Sequence, residues 1–412
     1  MRYLVLVLVL GMLLMPTFNT HAAPNSQQID CADGPIPVSA SLQAQWPNTD
    51  FCQHQYAYTD IISGGPPRDG ITPIYPEGYV YPNNIYRLGG QAADYTVSYQ
   101  SIEEGNQLLF DQSPVIVVVV HDDAQAVPLG VLTSHEIANT TVGGVPIAIT
   151  FCPLCNAGIA FERMLNGQEL HFGVSGFLRL SDMVMWDHET ESWWQQATGE
   201  GIVGVMTGQQ LQYVTSIMVS WGDFKAAYPD GRLLIPTQNG TIERDYDRNP
   251  YVGYDQTEQP FLFRGIPDER LSATERVLGY IVGSGDSAVS IAYPFSALEQ
   301  EVVINDTVEE QAVVVFWQPG ATSALGASRI SAAEEVGSAA LFDRTLEDGT
   351  VLTFVAEDTR IMDEQTGSTW NIFGQAVEGP LKGTALVQLR SVSHFWFAWA
   401  AFYSETTIWG QE

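Results

Sequence analysis

The stretch that decides the fold is "DHETESWW" at residues 187–194, because it recurs as "DEQTGSTW" at residues 363–370. Asp, Thr, Ser and Trp occupy the same places in both stretches. An Asp that begins a tight turn, followed by a Trp that anchors the next segment in a core, is typical of scaffold rather than of a binding site. The recurrence therefore predicts two copies of one structural unit.

Three further blocks recur in the same order along the chain. They are "VPIAITFCPLCNAG" (145–158) with "QAVVVFWQPGATSA" (311–324), "GEGIVG" (199–204) with "GQAVEG" (374–379), and "TSIMVSWGDFKAAY" (215–228) with "RSVSHFWFAWAAFY" (390–403). Runs of β-branched residues between turn signals predict strands, whereas Trp396, Trp399 and Tyr403 have the spacing of one helix face. The predicted fold class is mostly β (α+β). Two duplicated, divergent β-rich units, each with a helix near its end, would pack as one pseudo-symmetric body.

The N-terminal residues have the pattern of a secretory signal peptide. Arg2 precedes an apolar run that ends in small residues, and this run is short for a membrane-spanning helix of about 20 residues. We therefore expect an exported protein, extracellular, periplasmic or on the cell surface, with no stable membrane span after the leader is removed. An uncleaved membrane anchor is the alternative interpretation. The predicted segments are a signal peptide (1–23), an N-terminal arm and lead-in (24–110), a first β-rich repeat with the candidate site (111–270) and a second, degenerate repeat (271–412).

The surface is predicted to be strongly acidic. The formal net charge is −31, from 48 acidic and 17 basic residues among 412. Such a charge repels the phosphates of nucleic acids, so we expect no nucleic-acid partner.

The four cysteines fall into two pairs. Cys31 and Cys52 lie in a loop-like segment without metal-ligand spacing, and disulfides are permissible in an exported chain. We predict a disulfide between them that pins the N-terminal arm and contributes roughly 3 kcal/mol on the loop-entropy model. Cys152 and Cys155 form the second pair, with two residues between them.

Three features are present in the first copy and absent from the second. The cysteine positions 152 and 155 correspond to Gln318 and Ala321. The second copy also has no counterpart of His135, and the segment 172–187 is about six residues longer than its equivalent. Because the three features are lost together, we predict a single functional site in the first copy.

The Cys-Pro-Leu-Cys stretch allows three interpretations. A reactive dithiol usually begins a helix, whose dipole lowers the thiol pKa, but the residues after Cys155 predict a strand. A tight turn between strands instead resembles a metal knuckle. The leading hypothesis is a site for Zn or Cu with Cys152, Cys155 and His135 as ligands. The alternatives are an extracytoplasmic thiol–disulfide oxidoreductase and a non-catalytic binding or structural module with static disulfides.

Four neighbouring polar residues are candidates for contacting a ligand at this site. Glu136 follows His135 directly and would handle protons or position the metal ligands. Ser175, Arg179 and Asp182 lie in the longer segment and would form the wall of the site.

Several long motifs resemble one known family. They are "GGPPRDGI" (64–71), "SHEIANTTVGG" (134–144), "TFCPLCNAG" (150–158), "FGVSGFLRLSDMVMWDHETESWWQQATGEGIVG" (172–204), "RNPYVGY" (248–254) and "TGSTWNIFGQAVEGPLKG" (366–383). From about residue 55 onward the chain is similar to the bacterial and archaeal domain-of-unknown-function family 3179. The resemblance implies an exported protein with the His-Glu and Cys-Pro-Leu-Cys segments as typical features, and it brings no established activity. The chain has Thr140 and Thr141 where members often have Asp, and His188 where Arg is usual, which weakens any role for that Asp or Arg.

Overall fold

The computed structural model describes residues 29–81, 95–283 and 288–411 of the chain. Within these ranges the chain is mostly β, with short strands and few helices, so the predicted fold class is confirmed. The helices are α1 (Ala40–Gln45), α2 (Ile102–Gly105), α3 (Leu129–His135), α4 (Trp221–Ala227), α5 (Phe295–Glu301) and α6 (Trp396–Phe402). Single 3₁₀ turns occupy Tyr58–Asp60, Tyr254–Gln256 and Ile330–Ala332.

The first half of the chain builds three sheets from runs rich in Val and Ile, whose branched side chains fit a pleated surface better than a helix. One sheet has the strand order Tyr213–Val214, Ala157–Glu162, Val145–Cys152, Ile137–Val142, Ile74–Tyr75 and Tyr95–Thr96. Another has the order Glu200–Val203, Trp193–Gln195, Asp182–Asp187, Phe172–Arg179 and Ile61–Ser63. The third has the order Ser216–Ser220, Pro114–Val120, Asp123–Pro128, Arg232–Leu234 and Tyr99–Gln100.

The second half builds three smaller sheets. The first has the strand order Ser391–Phe395, Arg276–Val282, Val289–Pro294 and Thr407–Ile408. The second has the order Val303–Val308, Gln311–Gln318, Ser338–Asp343 and Val387–Gln388. The third has the order Phe354–Glu357, Arg360–Asp363, Thr369–Trp370 and Ala376–Glu378. Two ribbons complete the described strands, Ile29–Cys31 with Gly34–Ile36 and Met164–Leu165 with Gln168–Glu169.

Helices α3 and α5 end in the same way in the two halves. Each is followed by a residue in the left-handed region, Glu136 with φ 59° and Val302 with φ 61°. The carbonyl oxygen of each then accepts a hydrogen bond from the next-but-one strand, from Phe151 and Trp317 respectively. The two residues therefore occupy equivalent backbone positions, one with a carboxylate and the other with an apolar side chain.

The recurring Asp-to-Trp motif forms the same turn twice. The Asp187 carboxylate accepts hydrogen bonds from the backbone and hydroxyl of Thr190 and from the indole of Trp194. Asp363 makes the equivalent bonds with the Thr and Trp that lie three and seven residues further on. The motif holds turns and core tryptophans in place, as expected of scaffold. The duplicated, pseudo-symmetric arrangement of two whole units stays a prediction.

One large apolar core runs through both halves of the described chain. It includes buried strand residues of the first half such as Val117 and Phe151, and of the second half such as Val315 and Phe342. Cys152 and Cys155 are part of this core. The cysteine pair is therefore surrounded by apolar side chains rather than by water.

The N-terminal arm is closed by a disulfide and packs against the body through a tryptophan. Cys31 and Cys52 form the predicted disulfide, with their Cα atoms 5.5 Å apart. Trp46, directly after α1, packs edge-on against Trp186 and Trp193. The arm thus covers the outer face of the sheet that contains residues 182–187.

The lead-in segment also contributes to the body, because strands between residues 61 and 100 join all three sheets of the first half. The domain boundaries at residues 110 and 270 stay predictions. The predicted leader, residues 1–23, lies outside the described residues. None of the helices in the described ranges has the length and apolar character needed to cross a membrane.

His394 should make the protein sensitive to mild acid. Its side chain is buried beside Trp399, and its Nδ1 atom has no hydrogen-bond partner in the described part of the chain. Burial lowers the pKa of His394 to about 3. Below pH 6.5 the unfolded chain therefore binds a proton at this histidine, whereas the folded protein binds it only near pH 3. The contribution of neutral His394 to stability is therefore complete above pH 6.5 and is lost as the pH drops from 6.5 toward 3, by roughly 2 to 3 kcal/mol at pH 4.5.

The matched variant for this prediction is His394→Val. Val219 occupies the equivalent strand position, two residues before the first Trp of a helix in the first half. Urea unfolding at pH 7.5 and pH 4.5 should show that the variant loses less stability than the wild type between these two pH values. Equal losses in both proteins would contradict the prediction.

Candidate functional site

The two central cysteines lie in a tight turn between strands. Strands Val145–Cys152 and Ala157–Glu162 pair directly, and the Cys155 amide donates to the Cys152 carbonyl at 3.2 Å. No helix follows the turn, as the sequence predicted. The side chains of Cys152 and Cys155 are 1% and 0% exposed and are free thiols.

A second hairpin brings a carboxylate to the cysteines. Strands Phe172–Arg179 and Asp182–Asp187 are joined at a turn in which Leu180 and Ser181 both have positive φ. The Ser181 carbonyl lies above the thiols, 3.8 Å from the Sγ of Cys152 and 3.5 Å from that of Cys155. Asp182 follows, and one carboxylate oxygen and the two sulfur atoms all lie within 4.8 Å of one another.

The Asp182 carboxylate is only partly satisfied by hydrogen bonds. Its Oδ1 atom accepts from the Gln195 amide at 2.6 Å and from the Ala197 backbone at 2.9 Å. Its Oδ2 atom is buried and accepts no hydrogen bond from an N–H or O–H group of the described residues, so the thiols of Cys152 and Cys155 are the other donors near this carboxylate. Burial raises the pKa of Asp182 to about 6, against the lowering effect of Ala197, Gln195 and the two thiols. A buried acceptor without a donor is costly, which points to a missing partner.

Burial also raises the thiol pKa values. The pKa of Cys152 is raised by burial and by the charges of Asp182 and Glu136. The pKa of Cys155 is raised well above its usual value, again chiefly by burial and then by Cys152 and Asp182. In the absence of a cation the two thiols therefore stay protonated at neutral pH.

Glu136 reaches the same region from the end of α3. Its side chain is 8% exposed, lines a cavity of about 110 Å³ together with Cys152, and makes no hydrogen bond or ion pair within the described residues. Burial, followed by the charge of Asp182, raises the pKa of Glu136 to about 8. The predicted placement of Glu136 beside the cysteine pair agrees with this geometry.

His135 does not join the cysteines, which contradicts its predicted role as the third ligand. One ring nitrogen hydrogen-bonds the Thr72 carbonyl at 2.7 Å, and the other the Tyr246 hydroxyl at 3.0 Å. Burial lowers the pKa of His135 to about 4, so the ring is neutral and both nitrogens are occupied. Asp182, predicted only as part of the wall, lies where the third ligand was expected.

The two other wall candidates have structural contacts. The Ser175 hydroxyl donates to the Val184 carbonyl inside an irregular part of the second hairpin. Arg179 lies over the Tyr56 ring, 3.5 Å from its centre, and donates to the Gln195 amide oxygen at 3.3 Å. Arg179 therefore acts on the site only through Gln195, the residue that also holds Asp182.

A loop that the sequence patterns did not predict covers the site. Tyr251 and Phe261 line the cavity, and the Phe261 carbonyl accepts a hydrogen bond from the Ser181 hydroxyl. They belong to a long stretch, residues 249–275, that contains only one 3₁₀ turn. Its length and its aromatic residues are the available signal, because long loops of this kind are usually functional.

The described residues of the second half form no equivalent of this site. Gln318, at the position of Cys152, donates to Asp223, and Ala321 occupies the position of Cys155. The hairpin of strands Phe354–Glu357 and Arg360–Asp363 is shorter, so no carboxylate is carried as far as Asp182. The extra length of the first hairpin places the Asp182 carboxylate beside the two cysteines.

The comparison with protein families gives one match. The family described as a protein of unknown function (DUF3179) matches residues 95–406, about three quarters of the chain. The chain belongs to this family. All four polar groups of the site lie within the matched region. Neither the curated proteins nor the solved structures gave a match.

Proposed function

We propose that this DUF3179 protein binds one divalent transition-metal ion, Zn²⁺, through the sulfur atoms of Cys152 and Cys155 and the Oδ2 atom of Asp182. The observation that carries the proposal is the buried Asp182 carboxylate, which lies beside two buried thiols and has one oxygen without an N–H or O–H donor among the described residues. Donor atoms of a tetrahedral zinc site lie roughly 3.3 to 3.8 Å apart, so atoms within 4.8 Å of one another need only a small contraction.

The donor set favours zinc over copper. Two thiolates and a carboxylate form a mixed soft and hard set, which suits the borderline Zn²⁺ ion, whereas Cu(I) prefers sulfur and imidazole. Three ionised ligands would also carry three negative charges, and no Lys, Arg or His of the described residues pairs with them. A bound dication supplies the missing positive charge.

The same geometry argues against the oxidoreductase alternative. Thiol–disulfide exchange requires an accessible thiolate, which is usually stabilised at a helix N-terminus or beside a cation. Cys152 and Cys155 are buried in the core, their pKa values are raised, and strands flank them. These features support a ligand role better than a redox role.

The metal would be held in an exported protein. The predicted leader supports this, and so does the Cys31–Cys52 disulfide, because such bonds persist mainly in oxidising compartments. Burial of Cys152 and Cys155 would protect their thiolates from oxidation there.

Metal analysis combined with thiol counting tests the proposal. The full chain is expressed with its leader for export and purified without chelator, and its metal content is compared with its free thiols before and after denaturation. We expect about one zinc ion per chain and two thiols that react only after denaturation. A protein with neither metal nor free thiols would contradict the proposal and indicate a disulfide between Cys152 and Cys155.

A further inference from the structure

A cavity of about 110 Å³ adjoins the candidate metal site. Cys152 and Glu136 lie in its wall, and most of the remaining wall is apolar, with Ile71, Val174 and Leu178 among its members. Apolar walls with a few polar groups at one end are the usual character of a site for a small organic molecule.

Among the described residues, the cavity wall contains no cationic side chain. Glu136 has no hydrogen-bond or ion-pair partner in the described chain, and no Lys, Arg or His side chain lines the cavity. An anionic ligand would therefore lie beside a thiolate ligand of the metal and the Glu136 side chain, with no protein cation to pair with it. The walls exclude a ligand that is polar all over, so the ligand that fits is neutral with an apolar body.

The position of Glu136 has no need of a carboxylate for folding. Val302 adopts the same backbone conformation after α5, and its carbonyl accepts the equivalent hydrogen bond. A buried acid at this position costs stability that valine does not cost. The acid is therefore best explained by a role in the cavity, where it faces the same space as Cys152.

We infer that the cavity binds a small neutral molecule that has a short apolar body and one polar head, such as a carbonyl, amide or hydroxamic acid group. The inference rests on the proposed function, because three protein ligands leave one position of a tetrahedral metal open. Since Cys152 lines the cavity, the head reaches that open position while Glu136 hydrogen-bonds it. The apolar body lies against Leu178 and its neighbours.

The test uses the full chain loaded with Co²⁺ in place of zinc, because cobalt bound to thiolates has a visible spectrum. Cobalt uptake is measured first. Butyrohydroxamic acid, a neutral probe with a short apolar body, is then titrated, and butyrate serves as the anionic probe with the same body. We expect a saturable spectral change with the neutral probe and at least tenfold weaker binding of butyrate.

Two variants locate the binding event. Glu136→Val introduces the valine that the second half has at the equivalent position, Val302. It should weaken binding of the neutral probe at least tenfold without loss of cobalt. Ile71→Trp adds bulk to a partly exposed side chain of the cavity wall, outside the turn that contains the cysteines, and should block the probe while cobalt is retained.

The outcomes separate the two proposals. Absence of cobalt from the wild type would overturn the metal site and the inference together. Cobalt uptake without a response to the neutral probe would leave the metal site standing and overturn the inference. Equal affinity for butyrate, or full probe binding in both variants, would also overturn it.

Discussion

Asp182→Asn is expected to lower the affinity for Zn²⁺ roughly a thousandfold, about 4 kcal/mol. The substitution keeps the shape of the side chain but removes the only carboxylate among the three proposed ligands. It should also stabilise the metal-free protein, because a buried neutral amide costs less than a buried carboxylate with an unpartnered oxygen. Competition with a chromophoric chelator measures the first effect, and urea unfolding of metal-free protein measures the second.

Two further variants show whether the effect is specific to the ligand. Gln195→Leu removes the amide that holds Asp182 Oδ1, and loss of such a supporting contact should weaken metal binding roughly 10- to 100-fold. Ser175→Ala changes a buried hydroxyl that bonds only the neighbouring strand and irregular turn, and its zinc affinity should equal that of the wild type. Metal affinity unchanged by Asp182→Asn would exclude Asp182 as a ligand.

The scaffold could be predicted from the sequence because its signals are local. The Asp187 turn, the strands around Cys152 and the Cys31–Cys52 disulfide each follow from residue types at short spacing. The location of the site followed from a different argument, the joint loss of three features in the second half. The structure gathers Cys152, Cys155, Glu136 and Asp182 in one region but leaves out His135, so two of the three features lie together.

The identity of the third ligand could not be predicted, for two physical reasons. Asp182 reaches the cysteines through the tip of a hairpin, and hairpin length alone does not show where the tip lands. Which of the adjacent side chains of His135 and Glu136 lies near the cysteines depends on the backbone conformation at the end of α3. Glu136 has a φ of 59°, which turns the chain, so the two adjacent side chains point to different regions.

Arg68→Met is expected to lower the free energy of unfolding by about 3 to 5 kcal/mol, the usual cost of leaving one member of a buried ion pair alone. Arg68 and Glu191 are each 1% exposed and lie 3.1 Å apart. The guanidinium also stacks over Trp46 and Trp186, with its carbon 4.1 and 3.6 Å from their ring centres. Methionine fills similar volume, so the loss reports the stranded Glu191 carboxylate and the lost stacking rather than an empty space.

The ion pair between Arg68 and Glu191 also stabilises a strained turn. Glu191 has a φ of 54°, and the second half places Gly367, with a φ of 69°, at the same position of the motif. A glutamate in this conformation is strained where glycine is not. The strain is offset because the Glu191 carboxylate accepts hydrogen bonds from the Arg68 guanidinium and from the backbone N–H of Asn48, which joins the N-terminal arm to this turn.

Urea unfolding of the single and double variants measures the coupling between the two charges. Arg68→Met combined with Glu191→Gln should recover part of the stability lost by Arg68→Met, since no charge then remains buried alone. Arg360→Met is the matched control, because Arg360 pairs with Glu357 at the surface, where the side chains are 53% and 65% exposed. It should cost well under about 1 kcal/mol. If the loss in Arg68→Met were as small as in this control, the arm would be held to the body by contacts such as those of Trp46 rather than by the ion pair.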